Sequence, residues 1–372
     1  MRVAAAGRAA LDPEDRAERC LAQAQRDAPA DVPQTLRERM GAITVAYTFE
    51  GEPVLAEQLQ AAGAMTVLLK DALKPNLVQT LEGQPALVHC GPFANIAHGN
   101  NSLVADLVAL KLGEYVVTES GFGADMGMEK FLNIVCRAGG LSPSAVVLVA
   151  TAKALKHHGG EPSGGLDAIE RGAENLRRHL EIVREFGLRA VVAVNRFPGD
   201  TDDEVELVRR LALEHRAHAA ELNEAFERGG AGAAALAEAV VDAADHRNEF
   251  EYTYPIDAPI DAKIEAIATR VYGAGSVVFL QTAKDKIKQY TGNGLDRLPI
   301  CMAKTHLSLS HDPALANAPT GFELTVRDVR AYTGAGWLVA LCGTMQTMPG
   351  LGASPAAFSV DIDEDGRTVG LF

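Results

Sequence analysis

Short apolar segments alternate with longer amphipathic segments over the first half of the chain. Apolar runs of strand length occupy residues 42–49, 86–90, 115–119, 145–150 and 190–195. Between them, apolar residues recur at helical spacing over residues 54–72, 102–112, 128–138 and 166–186. This alternation is typical of a parallel β-sheet with helical cover and predicts an α/β fold.

The pattern changes further along the chain. Residues 201–250 are almost entirely helical in character, apart from a Gly-Gly-Ala-Gly turn at 229–232. After residue 255, strand-like segments dominate: 300–304, 322–332, 337–342 and 358–362. We therefore expect three domains: α/β over 36–155, a smaller α/β domain over 156–255, and an α+β domain over 256–372. Residues 1–35 are rich in alanine and arginine and are expected to form a helical or disordered extension.

Composition narrows the class of protein. A chain of 372 residues suits two or three domains. Its net charge of −14 argues against a nucleic-acid partner, because phosphate binding requires a basic face. No apolar run approaches the roughly 20 residues of a membrane span. The five cysteines form no CxxC pair, which favours buried thiols, no metal site of cysteines and a cytoplasmic location.

The first candidate site is the loop Gly91–Gly99, which joins an apolar strand to a helix. Open α/β sheets place ligands where strands end ahead of helices. Phe93 offers a flat face for a planar ring, and Asn95 and His98 offer hydrogen-bonding groups. An ordinary turn with Phe93 in the core is the alternative that the residues alone leave open.

Two further segments carry polar groups after strands. The stretch ESGFGADMGMEK, residues 119–130, holds three glycines together with Glu119 and Asp125. Glycines ahead of a helix suit a phosphate or another anion, although an ordinary turn is equally compatible. In VATAKALKHHGG, residues 149–160, Lys153 and Lys156 share one helical face and could hold phosphate or carboxylate. A solvated basic face is the alternative.

These segments together resemble formate–tetrahydrofolate ligases. The resemblance is carried by KPNLVQTLEGQPALVHCGPFANIAHG at 74–99, by the two segments above, and by AVNRFP at 193–198 and PICMAKT at 299–305. It extends from about residue 36 to 372. It implies ATP-dependent formation of 10-formyltetrahydrofolate through formyl phosphate, with magnesium, a monovalent cation and a homo-oligomer as family features.

The resemblance also implies roles for individual residues. Phe93 is the aromatic residue expected to stack on the p-aminobenzoate portion of the folate. Glu119 and Asp125 are expected to line the cleft. Phe226 occupies the position where the family usually has tryptophan, and Phe93 and Phe226 are predicted to sandwich the aromatic ring. Asn100 and Lys153 stand where the family commonly has cysteine and arginine.

One element of the family is missing from this sequence. ATP-dependent acyl activation uses a phosphate cradle of the type G-x-x-x-x-G-K-[ST]. No Gly-Lys dipeptide occurs in the chain, which resembles the C-terminal two-thirds of a ligase. We therefore expect an incomplete P-loop NTPase-like N-terminal domain, with an exposed edge or apolar face near residues 86–90 and 115–119.

Three interpretations follow from that missing element. The chain could be a ligase with impaired activity, a catalytically inactive folate- or partner-binding remnant, or one half of a split ligase. In the last case a separate P-loop-bearing chain would complete the enzyme.

Overall fold

The structure is a computed structural model that describes residues 3–8, 32–91, 96–345, 354–364 and 366–370. Its largest sheet has five strands in the order β6-β1-β7-β8-β9. Strands β7, β8 and β9 are parallel, as the alternating pattern predicted, whereas β1 runs antiparallel to both β6 and β7. The strands are β1 (Val3–Arg8), β6 (Tyr115–Ser120), β7 (Ala145–Ala150), β8 (Ala190–Asn195) and β9 (Ala219–Asn223).

Strand β1 corrects one expectation. The prediction that residues 1–35 are helical or disordered is wrong for Val3–Arg8, which pair with strands on both sides. Alanine-rich composition favours helix, but two ladders of backbone hydrogen bonds override that weak preference. Residues 9–31 lie outside the described residues, so the expectation of helix or disorder stays a prediction there.

Helices cover both faces of this sheet. Strands β7 and β8 are continuous apolar runs that are buried almost throughout, as expected for strands covered on both faces. The boundary expected near residue 155 falls inside the helix Ala152–His158, which joins β7 to β8, so the sheet continues across it. The helices are α5 (Ala152–His158), α6 (Leu166–Glu185), α7 (Asp202–Glu214), α8 (Ala225–Arg228) and α9 (Ala234–Asp245).

A second sheet forms from the later part of the chain, in the order β10-β12-β13-β11. It confirms the strands expected near 300, 322 and 337, whereas only Asp361–Ile362 of 358–362 is a strand. The elements are α10 (Ile260–Ala266), β10 (Ser276–Phe279), α11 (Gln281–Gly292), β11 (Ile300–Ala303), β12 (Glu323–Tyr332), β13 (Trp337–Cys342), β14 (Asp361–Ile362) and β15 (Thr368–Val369).

Residues 32–112 form helices and two separate hairpins instead of strands of the large sheet. The strand predicted at 86–90 forms, but it belongs to a small hairpin and not to the large sheet. Strand β5 pairs antiparallel with β4, and every residue of β4 is exposed. The elements are α1 (Val32–Gly41), β2 (Thr44–Tyr47), β3 (Pro53–Leu55), α2 (Ala62–Leu69), β4 (Asn76–Gln79), β5 (Pro85–Val88) and α3 (Leu103–Leu112).

This region also exposes apolar surface, as expected. Among the described residues β6 is the edge strand of the large sheet, and its Val117 side chain is exposed. Leu77 and Val78 of β4 and Val88 of β5 are exposed as well. Within the described residues, no helix combines the length and the apolar composition needed to cross a membrane.

Between β6 and β7 the chain forms a buried helical stretch with unusually wide turns. Ala124–Met128 and Phe131–Cys136 are π-helical, and α4 (Arg137–Gly139) ends the stretch. Every residue of both π-helical segments is buried. Wide turns of this kind are frequent at functional sites, and this one places several polar side chains in the interior.

Candidate functional site

The loop after β6 is tightly folded around its glycines. A Cβ atom on Gly127 would lie 2.1 Å from the carbonyl oxygen of Gly121, so only glycine fits there. A Cβ atom on Gly123 would lie 2.6 Å from a ring carbon of His179. This close approach directs Asp125 into the interior, where its side chain is buried.

Asp125 forms a buried ion pair with Lys304. The Lys304 Nζ atom lies 2.7 Å from Asp125 Oδ2, and the lysine side chain is fully buried. Burial opposes ionisation of Asp125, but the Lys304 ammonium and then His179 outweigh it and hold the pKa of that carboxyl below its usual range. Lys304 also donates to the carbonyl oxygens of Ser308 at 2.6 Å and Thr305 at 3.0 Å.

A buried imidazole, His179, and a half-buried one, His158, complete this cluster. Burial lowers the pKa of His179 and of His158 to about 4 in each case, so both are neutral near pH 7. His179 Nδ1 lies 4.0 Å from Asp125 Oδ1, and has no hydrogen-bond partner among the described residues. His158 Nδ1 accepts a hydrogen bond from the Asn317 amide at 3.3 Å. The cluster therefore offers a neutral nitrogen beside a neutralised ion pair.

The end of the first candidate loop packs directly against the second. The Gly121 amide donates to the Gly99 carbonyl oxygen at 2.8 Å. Ser120 Oγ donates to Asn100 Oδ1 at 2.5 Å, and Asn100 Nδ2 donates to the Gly127 carbonyl oxygen at 3.3 Å. A side-chain amide can make both bonds at once, which gives a physical reason for asparagine at this position.

His98 lies between that loop and the second sheet. Its ring meets the Trp337 ring edge-on, with centroids 5.8 Å apart, and the Trp337 indole N–H donates to the Ile96 carbonyl oxygen at 3.3 Å. Burial and then the charge of Lys130 lower the pKa of His98 to about 4. Its Nδ1 accepts from the Asn100 amide at 3.2 Å, which fits a neutral ring.

Comparison with known proteins decides the family. The family model for formate–tetrahydrofolate ligase matches residues 28–372. The chain belongs to the formate–tetrahydrofolate ligase family. It is 55% identical over 350 residues to the formate–tetrahydrofolate ligase of Desulforamulus reducens and 51% identical over 350 residues to that of Cutibacterium acnes. Each alignment covers 91% of this chain but 62% of the relative, so the chain spans less than two-thirds of their length.

A human relative is also similar. The chain is 51% identical over 356 residues to human cytoplasmic C-1-tetrahydrofolate synthase, covering 91% of this chain and 38% of that protein. The family match begins at residue 28, eight positions before the start that the sequence motifs indicated.

The predicted site residues of this ligase-family chain do not all lie together in the structure. His98 and Asp125 lie on loops that are hydrogen-bonded to each other. Glu119 lies on the exposed side of β6. Phe93 and Asn95 fall outside the described residues, so their places stay predictions.

Lys156 is engaged in an ion pair. Its Nζ atom lies 2.6 Å from Glu204 Oε1, and this hydrogen bond lowers the pKa of Glu204. Glu204 also completes the capping box that begins α7 with Thr201. The ion pair of Lys156 thus links α5 to α7. The segment 149–160 contributes His158, and not Lys156, to the cluster around Asp125.

Phe226 is fully exposed on α8 and does not fill the core. The glycine turn after it contacts the β4–β5 hairpin, because the Gly230 amide donates to Glu82 Oε1 at 2.5 Å. A Cβ atom on Gly229 or Gly230 would lie within 2.4 Å of the Glu82 carboxylate. The hairpin that leads into the Phe93 loop therefore reaches the turn beside Phe226.

Three residues of this region were missed by sequence reasoning. Lys304 lies in the family-like segment 299–305, and that segment was its only signal. His179 lies on the buried stripe of α6, where an apolar residue is the usual occupant. Phe122, in the second loop, stacks on His306 with ring centroids 4.7 Å apart, and this surface pair has no local sequence signature.

No P-loop for the ATP and magnesium used by the family occurs in this sequence. The sequence contains no Gly-Lys dipeptide, and hence no cradle of the P-loop type. Lys156 and Lys304 are each neutralised by a carboxylate. We derive no phosphorylation step from these residues.

Proposed function

We propose that this chain is the tetrahydrofolate-binding part of a formate–tetrahydrofolate ligase and that it requires a nucleotide-binding segment from elsewhere for turnover. The complete reaction joins formate to tetrahydrofolate with ATP to give 10-formyltetrahydrofolate. The observation that carries the proposal is the contact between Glu82 and Gly230, which holds the turn beside Phe226 against the hairpin leading to Phe93.

In the proposed site, Phe93 and Phe226 form two walls around the aromatic ring of the folate. An exposed phenylalanine at a glycine turn is well suited to stacking, since its face is free before the ligand arrives. Asn95, His98, Glu119 and Asp125 line the cleft in this proposal. The His98 and Asp125 loops are locked together by hydrogen bonds, which favours a preformed wall.

The proposed chemistry has two steps. Formate first attacks the γ-phosphorus of ATP, forming a C–O–P linkage and releasing ADP. The N10 amine then attacks the formyl carbon, the C–O bond to phosphate breaks, and N10 loses a proton. The first step needs the phosphate cradle, whereas the second mainly needs the two reactants to be positioned. We assign this chain to the positioning of the folate.

A second candidate function is that this chain forms one half of a split ligase and is not an inactive remnant. The exposed apolar side chains of β4, β5 and β6 favour it, because monomeric proteins rarely leave such patches uncovered. A P-loop-bearing segment seated there would cover them. We propose a cytoplasmic location, in line with the name of the human relative.

Calorimetric titration of tetrahydrofolate into the purified chain tests the folate proposal. We expect saturable binding with one site per chain. Binding should be unchanged by added ATP and magnesium, because the chain contributes no cradle for them. A folded chain that takes up no tetrahydrofolate would overturn the proposal.

A further inference from the structure

A cluster of two histidines and one aspartate lies apart from the proposed folate site. His218 precedes β9, Asp242 lies in α9, and His246 directly follows that helix. Each of the three offers a ligand atom, and these atoms all lie within 4.8 Å of one another. His218 is half-buried, while Asp242 and His246 are exposed, so the cluster is open to solvent.

The distances suit a small divalent ion. Zinc binds imidazole nitrogen and carboxylate oxygen at about 2.0–2.2 Å, which places tetrahedral ligands roughly 3.4 Å apart. His218 Nε2 and Asp242 Oδ2 are 2.7 Å apart in a hydrogen bond. To bind a metal ion, Nε2 must give up the proton of that bond, and the two atoms must move apart by about 0.7 Å. The rings of His218 and His246 lie with centroids 5.3 Å apart at a steep angle, so both can turn a nitrogen towards one point.

His246 has one ring nitrogen available for a metal ion. Its Nδ1 lies 2.7 Å from the Asp242 carbonyl oxygen, and a carbonyl only accepts, so Nδ1 carries the proton. The lone pair is therefore on Nε2. A ligating histidine whose other nitrogen donates to a backbone carbonyl is the usual arrangement in protein metal sites.

The surrounding charges largely favour a cation. Asp242 supplies a carboxylate, which accepts a hydrogen bond from His218. The cluster lies at the C-terminal end of α9, where the helix dipole favours positive charge. Arg189 is the opposing charge near Asp242, and its guanidinium donates to the Arg247 carbonyl oxygen.

We propose that His218, Asp242 and His246 bind one divalent transition-metal ion, with zinc as the best fit and a water molecule in the fourth position. The ion would tie the start of β9 to the end of α9. This helix packs Ala243 and Ala244 against Ala145 and Val191 of the large sheet, so the bound ion would stabilise that packing. The proposal is independent of the folate site.

The test is calorimetric titration of zinc chloride into metal-free protein, with thermal melts in parallel. We expect about one zinc per chain and a rise in melting temperature on binding. His246→Ala and Asp242→Asn should each weaken binding at least tenfold and abolish the rise in melting temperature. Melts without zinc show whether each variant is folded.

His215→Ala is the matched control, because His215 lies three residues before His218 and outside the cluster. It should bind zinc like the unaltered chain. Lowering the pH should weaken binding, since protons compete for the imidazoles. The proposal is overturned if the unaltered chain binds no zinc, or if His246→Ala and Asp242→Asn bind zinc as tightly as the control.

Discussion

The Lys304 ammonium and the Asp125 carboxylate lie 2.7 Å apart in the protein interior and connect the two sheets. Asp125 is in the loop that follows β6 of the first sheet, and Lys304 directly follows β11 of the second. The lysine side chain is fully buried and the aspartate nearly so. Each charge therefore depends on the other for its stability in the interior.

Removing only one of these charges should be costly. We expect Lys304→Met to lower the free energy of unfolding by about 3–5 kcal/mol, because it leaves a buried carboxylate unpaired. The double variant Lys304→Met with Asp125→Asn should recover much of that loss. Urea unfolding measures the free energy of unfolding of the single and double variants. Lys288→Met, at an exposed lysine, serves as the control. Equal losses in the single and double variants would contradict the coupling.

Glu129 should make stability depend on pH. Burial raises the pKa of this carboxyl to about 7, from an ordinary value of 4.5, although Asn133 donates a hydrogen bond to it. The folded state thus binds more protons than the unfolded state between these values, and stability falls as pH rises through that window. Glu129→Gln should stabilise the protein at pH 8 by about 3–4 kcal/mol, at roughly 1.4 kcal/mol per pKa unit, and change little at pH 4.

Thermal or urea unfolding at both pH values checks this expectation. Glu238→Gln, which alters an exposed glutamate of α9, is the control and should be neutral at both. A loss of stability at pH 8 in Glu129→Gln would show that the ionised carboxylate is stabilising and that the sign is wrong.

Phe226→Ala should weaken tetrahydrofolate binding without affecting the fold. Because the side chain is fully exposed, its removal leaves no cavity and the melting temperature should not change. Loss of stacking and of buried ring area should weaken binding about tenfold, equivalent to roughly 1.4 kcal/mol. Phe49→Ala, at an equally exposed phenylalanine, is the matched control for the titration. Unchanged affinity in Phe226→Ala would remove it from the site.

The exposed apolar surface near β4 and β6 should promote self-association. We expect the apparent mass measured by light scattering to increase with protein concentration. Replacing Leu77 and Val117, which are exposed, by lysine should reduce that increase. If the unaltered protein is monomeric at every concentration, this surface does not drive self-association.

Strands were predicted most accurately from the sequence where nearly every residue of the strand is buried. The expected strands at 145–150 and 190–195 match β7 and β8 residue for residue, because strands buried on both faces leave an unbroken apolar run. The strand at 86–90 was misjudged, since an apolar run does not reveal whether its partner is a large sheet or one exposed hairpin strand.

Long-range pairing explains what was missed at the candidate site. Asp125 and Lys304 are 179 positions apart, and neither has a local pattern that indicates the other. His179 is a single polar residue on the buried side of an amphipathic helix. Its approach to Asp125 depends on the close packing at Gly123. Family-like segments located these loops, whereas their mutual contacts required the fold.

The most direct test is to incubate the purified chain, with its mass verified, with ATP, magnesium, formate and tetrahydrofolate, and to measure 10-formyltetrahydrofolate. Tetrahydrofolate binding by the same sample shows that the protein is folded. We predict binding without ATP-dependent product, since the sequence supplies no phosphate cradle. Sustained ATP-dependent turnover by this chain alone would contradict its assignment as the folate-binding part of the ligase.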